Sequence, residues 1–220
     1  MISKFEELKN LFEEIDKSLA EKVNFHIIGG AVMLYHGLKT GTKDIDIVVD
    51  SPKEFSAAEK AFKKVGFSTR TPAFEYSRVE LNKIFTRGEF RIDLFQRTVC
   101  KGFQLSDSMK KRALEITGLK HLTISLCSNE DVFLFKTFTE REGDIDDCIA
   151  LARRGIDWNA VLEELERQIK LSGNKIWITW VGERLDILEE RGLAIPIMQE
   201  VNKLRKDYFN KYGKRTSSWK

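Results

Sequence analysis

The spacing of apolar residues divides the chain into a first part that contains strands and a second part made of helices. Apolar residues recur with helical spacing in residues 3–20, 31–36 and 51–66. Short apolar or alternating runs, typical of strands, occupy residues 25–28, 43–49, 76–85 and 89–96. The last two runs predict a hairpin with its turn at residues 86–88, where Gly88 follows two polar residues.

From Ser128 onward the pattern is helical throughout. Ser128 and Asp131 have the spacing of a capping box at a helix start. Further helices are predicted at residues 144–154, 157–171, 175–191 and 196–212. The change of pattern predicts an α+β fold, with a mixed β-sheet flanked by helices in residues 1–125 and a C-terminal α-helical domain in residues 126–220.

Composition and charge exclude several classes of protein but do not indicate a function. The 220 residues carry a net charge of +3 and include no apolar run of about 18 residues, so we expect no transmembrane helix. The N-terminal residues lack the apolar segment of a secretory signal, and three widely spaced cysteines predict neither a disulfide framework nor a zinc site. We therefore expect a cytoplasmic globular protein with no membrane partner.

Two aspartates in the second strand are the first candidates for chemistry. Side chains alternate between the faces of a strand, so Asp44 and Asp46 are expected to share one face. Neighbouring carboxylates repel unless a cation lies between them, and carboxylates without His or Cys select Mg²⁺ or Mn²⁺. If the later strand with Asp93 is a neighbour of the Asp44 strand, three carboxylates converge, which is enough to hold two metal ions.

Gly29 and Gly30 are the second candidate. They follow the first strand, and a turn without side chains lets backbone N–H groups approach a phosphate closely. No Gly-Lys-Ser/Thr sequence follows, so this is not a P-loop. The alternative is a tight strand-to-helix turn with no ligand.

Two segments resemble a known protein family. The run IIGGAVMLYHGLKTGTKDIDIVV, with Asp93 in RIDLF downstream, is similar to the signature of the nucleotidyltransferase (polymerase-beta-like) superfamily. The segment SNEDVFLFKTFTEREGDIDDCIAL is similar to the helical segment of the abortive-infection (AbiEii-type) and related minimal nucleotidyltransferases. The resemblance covers roughly residues 22–155 and implies a nucleotidyltransferase-like fold, with a nucleotide held between its two parts.

The resemblance also implies an activity and a set of site residues. The activity is transfer of NMP from an NTP to a hydroxyl acceptor, with release of pyrophosphate and with Mg²⁺ (or Mn²⁺) as cofactor. The implied metal ligands are Asp44, Asp46 and Asp93, which with Lys136 form the catalytic set. The implied nucleotide-binding residues are Gly29, Gly30, Lys43, Asp144 and Asp147. In this interpretation Lys136 faces the triphosphate, and Asp144 or Asp147 orients Lys136 or the acceptor.

Several alternatives stay open at this level. The alternative role of Asp93 is an ion pair with Arg91 or Arg97. The alternative for Lys136 is an ordinary position on the more solvent-exposed side of a helix. The whole chain has the alternative of a catalytically inactive nucleotide- or RNA-binding module. The basic, aromatic tail from Lys203 slightly favours RNA or tRNA as the acceptor, and the resemblance makes an antitoxin protein a candidate partner.

Overall fold

The computed structural model describes residues 1–72, 81–100, 102–139 and 141–212. Its helices are α1 (Phe5–Ser18), α2 (Gly30–Tyr35), α3 (Pro52–Lys64), α4 (Asp107–Arg112), α5 (Asn129–Thr137), α6 (Glu142–Arg154), α7 (Trp158–Ser172), α8 (Trp177–Glu190) and α9 (Met198–Tyr212). Its strands are β1 (Val23–Ile28), β2 (Ile45–Val49), β3 (Ser68–Arg70), β4 (Lys83–Arg87), β5 (Phe90–Gln96), β6 (Thr98–Val99), β7 (Phe103–Gln104), β8 (Leu114–Gly118) and β9 (Leu122–Leu126).

The chain forms two compact units, an N-terminal unit (Met1–Val132) and a C-terminal unit (Phe133–Lys220). The N-terminal unit contains a seven-stranded sheet in the order β3-β4-β5-β2-β1-β9-β8. The pairs β1/β9 and β2/β5 are parallel, and the other neighbours are antiparallel. This mixed sheet, with its helices, confirms the predicted α+β fold class. The predicted domain division at residues 125 and 126 stays a prediction.

Four phenylalanines connect helices to the sheet in the core of the N-terminal unit. Phe25 on β1 lies with its ring centroid 6.4 Å from that of Phe12 on α1 and 5.7 Å from that of Phe62 on α3. Phe62 in turn lies 5.0 Å from Phe85 on β4. Each buried aromatic side chain contributes roughly 1.5–3 kcal/mol relative to exposure, so this cluster holds α1 and α3 against the sheet that carries the candidate site.

The C-terminal unit is helical, as its spacing predicts. Trp177 on α8 is buried and packs edge-on against Phe138, with ring centroids 5.5 Å apart. The α7 helix begins at the N-cap Asp157, whose carboxylate accepts hydrogen bonds from the backbone N–H groups of Asn159 and Ala160. Among the described residues, no helix combines the length and the hydropathy that crossing a bilayer requires.

The observed elements agree with the predicted ones except at β3, which was not predicted, and between residues 97 and 127. The predicted hairpin is present as β4 and β5, although its turn is at Gly88 and Glu89; residues 76–80 of its predicted first strand lie outside the described residues. The apolar pattern predicts neither α4 nor the β8–β9 pair, and β9 becomes the parallel neighbour of β1.

Candidate active site

A glycine turn ends β1 and begins α2. Gly29 has φ 70° and ψ −143°, a combination that residues with a Cβ avoid. A Cβ at Gly29 would lie 2.3 Å from Oδ2 of Asp46, so the Asp46 carboxylate lies directly against this turn. Gly30 lies equally close to Thr42, since a Cβ at Gly30 would be 2.6 Å from the threonine Oγ1.

The strand register brings two of the predicted carboxylates together. Asp46 on β2 is opposite Ile28, the last residue of β1, and opposite Asp93 on β5. Neighbouring strands are about 4.8 Å apart, and residues in register project their side chains from the same face of a sheet. Asp46 and Asp93 therefore lie side by side, next to the glycine turn. The sequence alone did not establish that the strand with Asp93 is a neighbour of the strand with Asp46, and the register shows that it is.

Asp93 already has a cationic partner. The guanidinium of Arg91 donates two hydrogen bonds to it, from Nε to Oδ1 and from Nη2 to Oδ2, each 2.7 Å long. Asp93 is only 5% exposed, and a two-bond pair of this kind is the strongest arrangement between arginine and a carboxylate. The ion pair with Arg91 that sequence analysis held as an alternative is thus present, in a buried strand.

Asp44 and Lys43 lie just before β2. Asp44 is half-buried, and its backbone carbonyl accepts a hydrogen bond of 2.9 Å from the Thr42 hydroxyl. Lys43 is exposed. The loop that carries these residues is anchored at Thr42, whose backbone pairs with that of Ile2.

The donor chemistry around Asp46 fits a hard divalent cation, because it consists of carboxylates. Within the described part of the chain, however, no three Asp, Glu, His or Cys side chains are arranged to hold a metal ion. At Asp93 both carboxylate oxygens already accept a hydrogen bond from Arg91. Each oxygen has a second lone pair, so an ion can share Asp93 with Arg91, and metal ligation by Asp44, Asp46 and Asp93 stays a prediction.

Three other predicted residues meet within the C-terminal unit. Nζ of Lys136 lies 2.7 Å from Oδ1 of Asp144 and 2.6 Å from Oδ2 of Asp147. Asp144 also accepts hydrogen bonds from the Thr139 hydroxyl and from Nε of Arg141. Lys136 is 7% exposed and is not on the wetter side of its helix, because α5 is covered on that side too. Lys136 therefore pairs with both aspartates, and the predicted role of Asp144 or Asp147 in orienting Lys136 or the acceptor stays a prediction.

Burial and charge act in opposite directions on this cluster. Burial alone disfavours the ammonium, but the carboxylates of Asp144 and Asp147 outweigh it and hold the pKa of Lys136 above its usual range. Burial likewise acts to raise the pKa of Asp144, whereas Lys136 and the neighbouring donors bring it below its ordinary value. Lys136 and Asp144 are thus charged at neutral pH, and each stabilises the charge of the other.

The structure does not support Cys127 or Cys148 as a nucleophile. The three cysteines lie among the described residues, are buried and are not in disulfide bonds. Burial raises the pKa of the Cys148 thiol to about 12, and it raises the pKa of Cys127 well above the ordinary value. The thiolate is the nucleophilic form of cysteine, so neither side chain is a nucleophile at neutral pH.

Comparison with known families places these features in context. The family described as "Nucleotidyltransferase of unknown function (DUF6036)" matches residues 6–175, more than half of the chain. The chain belongs to this family. The match confirms the predicted nucleotidyltransferase superfamily and the predicted class of enzyme, and it extends beyond residues 22–155 on both sides.

Two solved structures of the antibiotic-resistance factor ANT(2'')-Ia are similar to this nucleotidyltransferase. One is a crystal structure in complex with adenylyl-2''-tobramycin, at 10% identity, with 76% of this chain and 99% of that chain covered and a TM-score of 0.48. The other is a solution structure, at 11% identity, with 86% of this chain and 96% of that chain covered and a TM-score of 0.48. No curated protein matches the chain.

Replacing Gly29 by Ala tests the contact between the glycine turn and Asp46. The new Cβ is expected to push the Asp46 carboxylate away and to strain the backbone, at a cost of about 1–3 kcal/mol in stability. Nucleotidyl transfer by this family member should fall by about a hundredfold, because small displacements of reacting groups are costly. Steady-state kinetics and thermal unfolding measure the two effects.

Gly37→Ala is the matched control for this variant. Gly37 also has φ +70°, but no atom lies within 4 Å of the position that its Cβ would occupy. The control should therefore lose stability through backbone strain alone and keep its activity. Equal activity losses in the two variants would contradict a specific role of the Gly29–Asp46 contact.

Sequence analysis missed one residue of this nucleotidyltransferase and weighed another only as an alternative. Thr42 lies against Gly30 and bonds the Asp44 backbone; the alternation of Thr42, Asp44 and Asp46 was the available signal. Arg91 is two residues before Asp93, a spacing that places both on one strand face. Both residues belong to the geometry of the site, and neither belongs to the predicted site list.

Proposed function

We propose that the protein transfers NMP from an NTP to a hydroxyl acceptor and releases pyrophosphate, with Mg²⁺ or Mn²⁺ as cofactor. One observation carries this proposal: Asp46 and Asp93 are in register on neighbouring strands, beside a glycine turn, in a chain of nucleotidyltransferase ancestry. Two adjacent carboxylates favour a divalent cation between them, and backbone N–H groups at a glycine turn suit contact with a phosphate.

Each residue has a role in this proposal. Asp46 and Asp93, with Asp44, would hold the metal ions, and the backbone of Gly29 and Gly30 would face the triphosphate. When bound, the ions neutralise charge on the phosphoryl oxygens and lower the pKa of the attacking hydroxyl. Arg91 orients Asp93 through its two hydrogen bonds. Catalysis comes mainly from positioning and charge neutralisation, as in other phosphoryl transfers.

Lys43 and the cluster formed by Lys136, Asp144 and Asp147 are proposed to contribute to nucleotide binding. Lys43 is exposed and available for a phosphate contact. Lys136 would contribute positive charge toward the triphosphate, with Asp144 and Asp147 setting its position. Lys136 is neutralised by its two partners, so we expect Lys43 to be the more direct phosphate ligand.

The acceptor is proposed as a class of hydroxyl compound. The basic stretch from Lys203 favours RNA or tRNA over a protein or a small molecule; its residues 203–212 belong to α9, and residues 213–220 lie outside the described residues. The AbiEii-type resemblance supports a role as the toxin of a toxin–antitoxin pair in the cytoplasm, with an antitoxin protein as partner.

A label-transfer experiment tests the function. The protein is incubated with each α-³²P-labelled NTP and Mg²⁺, together with total RNA, a protein extract or a panel of small hydroxyl compounds. Transfer of label to one class of acceptor, with release of pyrophosphate and loss of transfer on addition of EDTA, is the expected result. Absence of transfer to every class, with all four NTPs and either metal, would contradict the proposal.

A catalytically inactive nucleotide-binding module is the second candidate. The observation that favours it is the Arg91–Asp93 pair, in which an arginine already supplies positive charge to a proposed metal ligand. Calorimetry with the same NTPs distinguishes the candidates, because binding without label transfer supports the module and binding with transfer supports the enzyme.

A further inference from the structure

Thr42, in the loop between α2 and β2, is held by two backbone hydrogen bonds. Its backbone N–H donates to the carbonyl of Ile2 at 2.9 Å, and the backbone N–H of Ile2 donates to the Thr42 carbonyl at 3.0 Å. Ile2 is fully buried, and Thr42 is 6% exposed. The backbone of Thr42 is thus fixed by a second stretch of chain, although the loop belongs to no regular strand.

The Thr42 side chain connects two parts of the proposed site. Its hydroxyl donates a hydrogen bond of 2.9 Å to the backbone carbonyl of Asp44. The same oxygen lies against Gly30, at 2.6 Å from the position that a Cβ there would occupy. Thr42 therefore spans from the glycine turn to the residue that begins the Asp44–Asp46 pair.

Packing alone does not account for a threonine at this position. Valine has nearly the same shape, and burying a hydroxyl is unfavourable unless it forms a hydrogen bond. The hydroxyl is used for a bond to the peptide group of Asp44, and this bond restricts the rotation of that peptide plane. The orientation of the Asp44 side chain depends on this plane, because its Cα is part of it.

We propose that Thr42 is a positioning residue, whose hydroxyl holds Asp44 in line with Asp46 and with the glycine turn. This inference rests on the proposed function, because it assigns Asp44 to the metal and phosphate site. Thr42 itself contacts neither metal nor nucleotide. It keeps Asp44 in an orientation that lets it bind an ion together with Asp46 and Asp93, so that ion binding requires little reorganisation.

Two substitutions at Thr42 test the proposal. Thr42→Val keeps the shape and removes the hydroxyl, whereas Thr42→Ser keeps the hydroxyl. We expect Thr42→Val to lower kcat about tenfold or more with KM for the NTP changed by less than about threefold. Thr42→Ser should restore kcat to within about threefold of the wild type. Thermal unfolding of both variants measures stability separately.

Gly30→Ala perturbs the same contact from the other side. Gly30 is the first residue of α2, where alanine fits the helical backbone, and the new Cβ would meet the Thr42 hydroxyl. The variant should displace that hydroxyl and reproduce the kcat loss of Thr42→Val. Combining Gly30→Ala with Thr42→Val should cost less than the sum of the two single losses, because both remove one hydrogen bond.

Calorimetry with Mn²⁺ provides a readout that does not depend on turnover. Thr42→Val should weaken Mn²⁺ binding several-fold, and Thr42→Ser should not. If the valine variant keeps both wild-type kcat and wild-type Mn²⁺ affinity, the positioning role is refuted while the proposed function stands. If the wild type transfers no label, the proposed function fails, and Mn²⁺ binding that is the same in both Thr42 variants refutes the positioning role as well.

Discussion

Replacing Asp46 by Asn is expected to reduce nucleotidyl transfer by at least about a thousandfold, since a bound metal supplies several kcal/mol of transition-state stabilisation. Asparagine keeps the size of the side chain but removes the negative charge. The fold should not suffer, because Asp46 is the neighbour of Asp93 across the strand pair and like charges repel. We expect an unchanged free energy of unfolding or a gain of up to about 1 kcal/mol.

Label transfer under saturating NTP, combined with urea unfolding, measures both effects of this substitution. Asp107→Asn is a suitable control, because Asp107 is an exposed carboxylate at the start of α4 and undergoes the same chemical change. The control should keep wild-type turnover. A wild-type rate in Asp46→Asn would exclude Asp46 from the catalytic set, and a large loss of stability would show that the carboxylate is structural.

Replacing Lys136 by Met is expected to lower the free energy of unfolding by about 3–5 kcal/mol, the usual result when one partner of a buried ion pair is removed. The variant keeps the carboxylates of Asp144 and Asp147 in a buried environment without the ammonium between them. Arg141 remains beside Asp144, but its largely exposed side chain is screened by water. Urea unfolding followed by tryptophan fluorescence measures the loss.

The pH dependence of this variant should have the opposite sign to that of the wild type. In the wild type the pKa of Asp144 lies below its ordinary value of 3.8, so its stabilising contribution is present above that value and is lost as pH falls through the folded-state pKa. Without Lys136 the buried carboxylates should have raised pKa values. The folded variant then takes up protons, and its deficit should shrink between about pH 7.5 and about pH 5.

Two further variants make this result specific. Lys63→Met removes a half-exposed partner of Glu59 and should cost less than about 1 kcal/mol. Combining Lys136→Met with Asp144→Asn and Asp147→Asn should recover part of the lost stability, because no buried charge remains unpaired. A loss of NTP affinity in this recovered protein would support a contribution of Lys136, Asp144 and Asp147 together to nucleotide binding, and unchanged affinity would contradict it.

Most of the N-terminal site could be predicted from local patterns. The glycine pair and the alternation of Asp44 and Asp46 are signals within a short segment, and a strand followed by Gly-Gly has few other structures available. Asp93 was identified only conditionally. Its position beside Asp46 depends on which strands become neighbours, and parallel pairing across a long connection leaves no mark in local spacing.

The unpredicted features all depend on tertiary contacts. A solvent-facing position on α5 was the alternative for Lys136, and its burial depends on Asp144 and Asp147 from α6, which neutralise it. The Thr42 hydroxyl bonds a residue only two positions away. This bond is important because the backbone of Thr42 is itself held by Ile2, which is far from it in sequence. Local propensity contains no information on such partners.

The pairing of β9 with β1 determines when this part of the sheet can form during translation. β9 pairs with β1 from Val23↔Leu122 to Ile27↔Leu126, so one edge of β1 gains its partner only after about a hundred further residues have been translated. At about 5–20 residues per second this takes roughly 5–20 s. During that interval the nascent chain presents an apolar strand edge, the kind of surface that pairs with other chains. A chain that ends before Leu122 therefore lacks β9, and this edge of β1 is left without its parallel partner.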